Sequence, residues 1–572
     1  MPAIKQDEGE INSLSEEIAA IERLLAIGAD HAVGDRIQLA RRRWPADLRL
    51  RFCEASWLEK SGHTAEAEAR LHDARAVHPQ NPWPPVRLLE LYLRQSDGER
   101  AATVFREAVW SGGAPEPSRT FLLARTITLL ADPAARRSYL ESLLRGANDD
   151  RFVLMKLAAL SARERDRGGA EALLAKARAF GPLTDESLQI EFDLLFSSAR
   201  FEKAYAIARE LQVRNPDRVE FARRSIQAAI FSHRMEVMTE LLSAALTRWP
   251  ADWLLLFRYN RCPLSGVVDR ALFAVVARQA EMQAGDQRWL FQFAVACMRH
   301  GETDRAIDIL VRLRPDGPAG NMAAPLAAAL VAHPRATWSN PRGVSNACDD
   351  DVQIVRTPDA VATIVLFSSV AGGLGYLPFG LADGLLRRRP VNVVFLRDRN
   401  HRSFTSGVAT FGADREAMIR ELGKVLSELG VPVVTMGSSV AGVAAIRAAT
   451  MMGARAAVSF AGPVNLGVDA TDDASPPAAA DGMRTSLYSS FNRSDPSIAD
   501  LIRGAPDTTV HQCFGAGFMP DVEAARLLDG LANVRCHAEP GCDDHFVIEH
   551  VIANGRFFAI LDAAIGLSPG SP

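Results

Sequence analysis

Val431-Pro432-Val433-Val434-Thr435-Met436-Gly437-Ser438-Ser439-Val440-Ala441-Gly442 is the stretch on which the reading of this chain turns. Its first six residues are mostly β-branched or apolar, the composition of a buried strand. Gly437, Ser438 and Ser439 then supply small side chains for a corner, and from Val440 an alanine-rich, helix-compatible stretch begins. A serine at a sharp strand-to-helix corner is held with strained backbone angles and its hydroxyl exposed. Ser439 is the residue so placed. Gly437 and Ala441 must be small because they crowd each other across the turn. The helix that follows aims its N-terminal dipole and the free amide of Val440 at any oxyanion formed there. The segment predicts a nucleophilic serine, in a hydrolase or an acyltransferase.

The surroundings have the texture this corner needs. From about Asp350, apolar runs alternate with amphipathic ones. Strands are expected at Asn392 to Leu396, Val431 to Met436, Ala454 to Phe460, Thr508 to Phe514 and Val534 to Ala538. Helices are expected at Arg415 to Leu429 and Val522 to Leu531. Such alternation predicts a mostly parallel sheet covered on both faces. Val352 to Arg356 and Ala362 to Phe367 flank Thr357-Pro358-Asp359-Ala360 and read as a hairpin.

Downstream of Ser439, the next acid just past a strand is Asp521. His545 follows the last strand and precedes the final helix. The order serine, acid, histidine, with these strand contexts, resembles the α/β-hydrolase superfamily across residues 350 to 572. The pattern G-x-S-x-G departs at one place, with Ala441 where the second glycine belongs and Gly442 one position later. The resemblance implies that Ser439, His545 and Asp521 act as nucleophile, base and orienting acid. Imidazole suits the second role because it exchanges protons near neutral pH, and a carboxylate fixes its tautomer. Glu523, Asp543 and Asp544 remain open as the acid, His550 as a reserve histidine, and Ser438 as the neighbour that might be mistaken for the nucleophile. An oxyanion hole needs a second amide besides Val440. The glycine-rich loop Ser368 to Tyr376 offers one within Ser369 to Gly372, with Val370 and Ala371 the candidates. Arg397 and His401, past another strand end, are expected to contact substrate, Arg397 through an anionic or hydroxyl-rich group, or else to fix their loop through an Arg397–Asp398 pair. Residues 466 to 504 sit where a lid is inserted, or form a loose connection.

Residues from about 12 to 330 carry another period. They read as amphipathic helices of roughly 12 to 15 residues. Pro45 and Pro79, Pro182 and Pro216, and Pro216 and Pro250 are each 34 residues apart. Ala55, Gly62, Ala67, Ala74 and Pro79 fall where paired helices need small residues, a turn and a stop. Ala294, Gly301, Ala306 and Pro318 repeat that spacing with Leu313 in place of Ala74, an overall slip of one residue. Small residues matter because helices approach within about 8 to 10 Å only when facing side chains permit it. The pattern resembles the tetratricopeptide (TPR) family over roughly 300 residues, with degenerate copies between 110 and 180. The resemblance implies an all-α superhelix that docks a protein partner.

At 572 residues the chain exceeds a single core. The expected organisation is a TPR-like helical domain over 12–330, a linker over 331–350 and an α/β-hydrolase domain over 351–572. A net charge of −4 leaves no nucleic-acid footprint. The arginine runs at Arg41 to Arg43 and Arg387 to Arg389 read as solvated helix ends. A polar, acidic N-terminus and the lack of an apolar run of about 18 residues predict neither secretion nor a membrane span. Seven cysteines, odd in number and without a CxxC pair, predict reduced thiols in a cytoplasm and no zinc site. No metal or other cofactor is expected. The functional expectation is an ester or related acyl hydrolase working through an acyl-serine. Two alternatives stand beside it: an O-acyltransferase or deacetylase acting on a carbohydrate ester, and a TPR scaffold whose hydrolase-like part is inactive.

Overall fold

Helices begin at Arg151, Asp185, Val219, Trp253 and Gln287, each 34 residues after the one before. Partner helices follow at Arg167–Ala179, Phe201–Arg214 and Met235–Arg248. The turns inside six of the pairs take a left-handed residue: Gly62 (φ 83°), Ser96 (60°), Arg165 (64°), Ala199 (56°), His233 (59°) and Gly301 (79°). Glycine adopts this backbone without penalty, whereas a side chain costs roughly 1–2 kcal/mol. Packing of the pair therefore imposes the turn at the four non-glycine positions. These residues keep the 34-residue step except between Ser96 and Arg165, where the one-residue slip lies. The small residues that set the spacing are buried, with Ala74, Ala294 and Ala306 at 0% exposure.

The computed structural model describes residues 13–568 apart from 29, 111–115, 131, 146–149, 284, 348 and 465–495. The chain divides into two units, Met1–Ile190 and Glu191–Pro572. The first is helical, with apolar cores around Ile18, Ile37 and Leu50 and around Leu88, Phe105 and Leu140. In the second, one continuous apolar core runs from Phe192 through Tyr259 and Phe291 to Phe395, Phe460 and Ile565. Helices after residue 191 thus share a core with the sheet. The helix Gly320–Val331, at the end of the stretch read as repeats, packs on Val547–Ala553.

The described residues form seven strands, β1 (Val352–Val355), β2 (Ala362–Phe367), β3 (Val391–Leu396), β4 (Val433–Ser438), β5 (Ala456–Phe460), β6 (Thr509–Gly515) and β7 (Val534–Glu539). Their spatial order is β1-β3-β2-β4-β5-β6-β7, parallel throughout except β1 against β3. The expected hairpin of β1 with β2 does not form: β1 pairs with β3, Val352 opposite Leu396. All six residues of β2 are buried, and parallel partners occupy both its edges, which leaves the edge position to half-exposed β1. The arginine run at 387–389 is also not simply solvated, since Arg389 forms an ion pair with Asp562 at 2.6 Å. Chain order reverses between β2 and β4, and ligand sites of parallel sheets form at such a point, beyond the strands' C-terminal ends. Among the described residues no helix is long and apolar enough to cross a membrane.

Candidate active site

Strand β4 ends at Ser438 and the helix Val440–Met452 begins one residue after Ser439. Ser439 has φ 57° and ψ −133°, a conformation that side-chain-bearing residues rarely adopt. Its N–H donates to the Phe460 carbonyl at 2.7 Å, and its own carbonyl accepts from Gly442 at 2.8 Å. The corner is tight enough that a Cβ on Gly437 would lie 2.2 Å from the Ala441 carbonyl oxygen. Ser438 is buried, whereas Ser439 keeps partial access to solvent.

Two loops bring the other groups to this corner. The Ser439 Oγ lies 2.9 Å from His545 Nε2, and His545 Nδ1 lies 3.0 and 2.9 Å from the two carboxylate oxygens of Asp521. Asp521 is buried in the first turn of the helix Met519–Arg526, while the His545 side chain is 30% exposed. The histidine loop closes over the end of β6 because Gly515 has no side chain: a Cβ there would meet the carbonyl oxygens of Cys542 and Asp544 at 2.7 and 2.8 Å. The other acids lie elsewhere. Glu523 is exposed, and Asp544 accepts from the Phe546 amide at 2.8 Å and faces His550 at 3.8 Å. Behind His545, donor atoms of Cys542, Asp544 and His550 come within 4.8 Å of one another, one group short of a closed four-ligand zinc set.

The loop after β2 is ordered by its own serine. Ser369 Oγ donates to the Gly375 carbonyl at 2.9 Å and accepts the Ala371 amide at 3.1 Å. The Ser369 amide is bonded to Gly373 and that of Gly372 to Ser369. Ala371 thus does not offer a free donor, because the serine hydroxyl takes it. Among the described hydrogen bonds the Val370 amide has no acceptor, and Val370 packs against the apolar cluster that contains Val440. The two amides with the least internal use therefore belong to neighbouring residues at the elbow.

Arg397 is 5% exposed, and its guanidinium donates to the carbonyls of Gly372 and Asp350 while lying over the Phe379 ring. It pins the loop after β2 through the Gly372 carbonyl, and among the described residues no ion pair joins it to Asp398. The Asp398 carboxylate instead accepts the amides of Asn400 and Phe404, both at 3.1 Å. Burial pushes its carboxyl up to about 6 against those hydrogen bonds. His401 stands on the wall of the same open cleft, which Val370 and Val440 also line. Residues 465–495, most of the expected lid, lie outside the described residues; 498–503 form a short helix.

Sequence order pointed to Ser439, Asp521 and His545, whose side chains meet. It gave no sign of Arg261, which reaches the cleft from the helical segment. Only its arginine identity hinted at a role, and the chain has many arginines.

No family model matches the chain, and no curated protein matches it. Among solved structures it is similar to PilF of Pseudomonas aeruginosa, at 19% identity and a TM-score of 0.24 over 36% of this chain and 94% of that one. It is similar to a carboxylesterase of the thaumarchaeon Nitrososphaera gargenis, at 12% identity and a TM-score of 0.27 over 38% of this chain and 93% of that one. It is similar also to the TPR domain of P58(IPK), at 14% identity and a TM-score of 0.18 over 54% of this chain and 97% of that one. Likenesses this distant leave the functional reading to the geometry of the chain itself.

Proposed function

We propose that this protein is a serine hydrolase of the α/β-hydrolase type that cleaves an ester or related acyl bond. One observation carries the reading: an unbroken hydrogen-bonded relay from Ser439 to His545 to Asp521, starting from a serine with a left-handed backbone. In the proposed reaction, Ser439 Oγ attacks the acyl carbon while His545 Nε2 takes its proton. Asp521 holds the Nδ1–H and stabilises the imidazolium. The tetrahedral oxyanion faces the amides of Val440 and Val370, a pair whose members are worth about 2.7–4 kcal/mol each in comparable sites. Collapse breaks the bond to the leaving oxygen, which receives the proton from Nε2. Water, deprotonated by the same nitrogen, then releases the acid and regenerates Ser439. The N-terminal helix pairs are read as a docking surface for a protein partner.

The test is covalent labelling with a fluorophosphonate, followed by peptide mapping and an ester screen of wild type and Ser439→Ala. Labelling at Ser439 and burst kinetics on an activated ester are expected, both lost in the variant. Folded wild-type protein that neither labels nor turns over esters overturns the proposal.

A further inference from the structure

The cleft beside the elbow carries more positive charge than its own walls neutralise. Arg261 and Arg399 both line it, and among the described residues neither has a carboxylate within ion-pair distance. Arginine side chains elsewhere in the chain are widely paired, as Arg299 is with Asp269 and Arg342 with Asp383. Asp398, the acid on this wall, is committed to backbone amides of its own loop.

Arg261 is presented by a rigid platform. It follows the helix Trp253–Tyr259, whose terminal carbonyl, that of Tyr259, accepts from Arg299 at 3.0 Å. Asn260 donates to the Gln292 carbonyl at 2.8 Å, and Arg299 is itself fixed on Asp269 by bonds of 2.9 and 3.0 Å. The opposite wall is equally prepared. His401, Ser403 and Phe404 have φ of 53°, 52° and 62°, three left-handed side-chain-bearing residues in four positions. The loop is held in this form by Asp398, by the Arg402 bond to the Phe231 carbonyl at 2.9 Å and by His233 on Asn400 at 3.1 Å. Strain of this kind persists where the surroundings over-determine it, typically beside a ligand.

Buried polar atoms without a hydrogen-bond partner cluster on that loop: His401 Nε2, Arg402 Nε, Ser403 Oγ and Ser406 Oγ; of these His401 and Ser403 line the cleft, and Ser403 is only 6% exposed. Such atoms in a native fold ask for a ligand or water. Burial drives His401 down to about 4, helped by the Arg261 charge, while a bond to the Arg261 carbonyl opposes the shift. At neutral pH its ring is uncharged. Its Nε2, which has no partner in the fold, is free to meet a hydroxyl. Burial likewise lowers Arg261 to about 9, so it stays a cation at neutral pH.

Resting on the hydrolase reading above, the geometry points to a substrate that carries an anionic group and free hydroxyls close to its ester. Arg261 and Arg399 bind the anion; His401 and Ser403 bond the hydroxyls. An acylated acidic sugar has this chemistry, and so in part does an ester whose acyl chain ends in a carboxylate.

Two matched pairs separate those sources. Acetylated methyl galacturonoside is compared with acetylated methyl galactoside, and 4-nitrophenyl hemiglutarate with 4-nitrophenyl valerate. For wild type, kcat/KM on the charged member of at least one pair is expected to exceed its neutral twin by about tenfold or more, the scale of one charged hydrogen-bonded contact. In Arg261→Gln that ratio falls towards one through KM, and Arg261→Lys restores part of it. A ratio below about twofold in both pairs, or one unmoved by Arg261→Gln, overturns the inference while fluorophosphonate labelling of Ser439 leaves the hydrolase reading standing. If nothing labels and no ester is cleaved, the hydrolase reading is what fails. Calorimetric binding of methyl galacturonoside and methyl galactoside then decides the inference alone. Binding of the acid only, lost in Arg261→Gln, supports it; absent or unselective binding refutes it.

Discussion

Replacing Gly437 with alanine tests the elbow at its tightest point. The added Cβ would stand 2.2 Å from the Ala441 carbonyl oxygen, 2.4 Å from its carbon and 2.9 Å from the Gly442 nitrogen. All three are backbone atoms of the helix that carries the oxyanion amide, so no rotamer relieves the clash. Ordinary contact begins near 3.4 Å, and the turn must open by about 1 Å to reach it. Ser439 lies two residues further on, and its Oγ starts 2.9 Å from His545 Nε2. A displacement of that size takes the pair beyond hydrogen-bond range. Misplacement by about 1 Å costs on the order of 10²-fold in rate, and overpacking a tight site about 1–3 kcal/mol of stability. Gly442→Ala is the control. Its Cβ would meet the Ser459 Oγ at 2.5 Å, a side-chain atom able to rotate away, and the Gly462 Cα at a milder 3.3 Å. The assay is the second-order rate of fluorophosphonate labelling, with kcat/KM on a short-chain ester and a thermal melt to verify folding. Gly437→Ala should lose about a hundredfold and Gly442→Ala less than about tenfold. A folded Gly437→Ala protein that labels within about threefold of wild type, or a Gly442→Ala protein that is worse, would refute this account of the corner.

Asp521→Asn preserves the shape of the acid but presents the wrong partner to His545 Nδ1, and kcat should fall by about 10⁴-fold; steady-state kinetics beside exposed Glu523→Gln checks it, and equal losses in the two would reassign the acid. Glu549 concerns stability. It is 1% exposed, and burial raises its carboxyl to about 7 despite the Tyr376 amide bonded to it and His550 nearby, with Asp544 adding to the rise. Because the folded state holds a proton that the unfolded state releases, its contribution is complete below about pH 4.5 and is lost as pH climbs through about 7. Glu549→Gln should therefore match wild type near pH 5 and exceed it by up to about 3 kcal/mol at pH 8. Parallel denaturation midpoints for the two proteins across that range would contradict it.

Local chemistry made much of this molecule legible. The helix Arg415–Leu429 was readable to the residue because Asp414 caps its start and Gly430 its end. The corner at Ser439 was readable because only small residues fit it. Features set by distant neighbours were not. Nothing between Val355 and Ala362 says that β3 will come between the two strands, since that depends on which edges remain open. The engagement of the Ala371 amide depends on a serine rotamer. The 34-residue period announced helix pairs but not what their outer faces rest on, so nothing marked Arg261. Its meaning comes from the sheet it faces.

The helices that follow residue 191 are therefore structural components of the cleft. Tyr376, at the end of the loop after β2, packs edge-on against Phe291, and its hydroxyl reaches Met322. Trimming the chain to begin at β1 would strip away those supports, expose the apolar side chains left behind, and remove Arg261 altogether. Anyone dissecting the protein into pieces should cut ahead of the helix Asp185–Ser197, close to where the division into units falls. A fragment chosen by strand content alone would keep Ser439, His545 and Asp521 but forfeit one side of the vessel in which they meet their ligand.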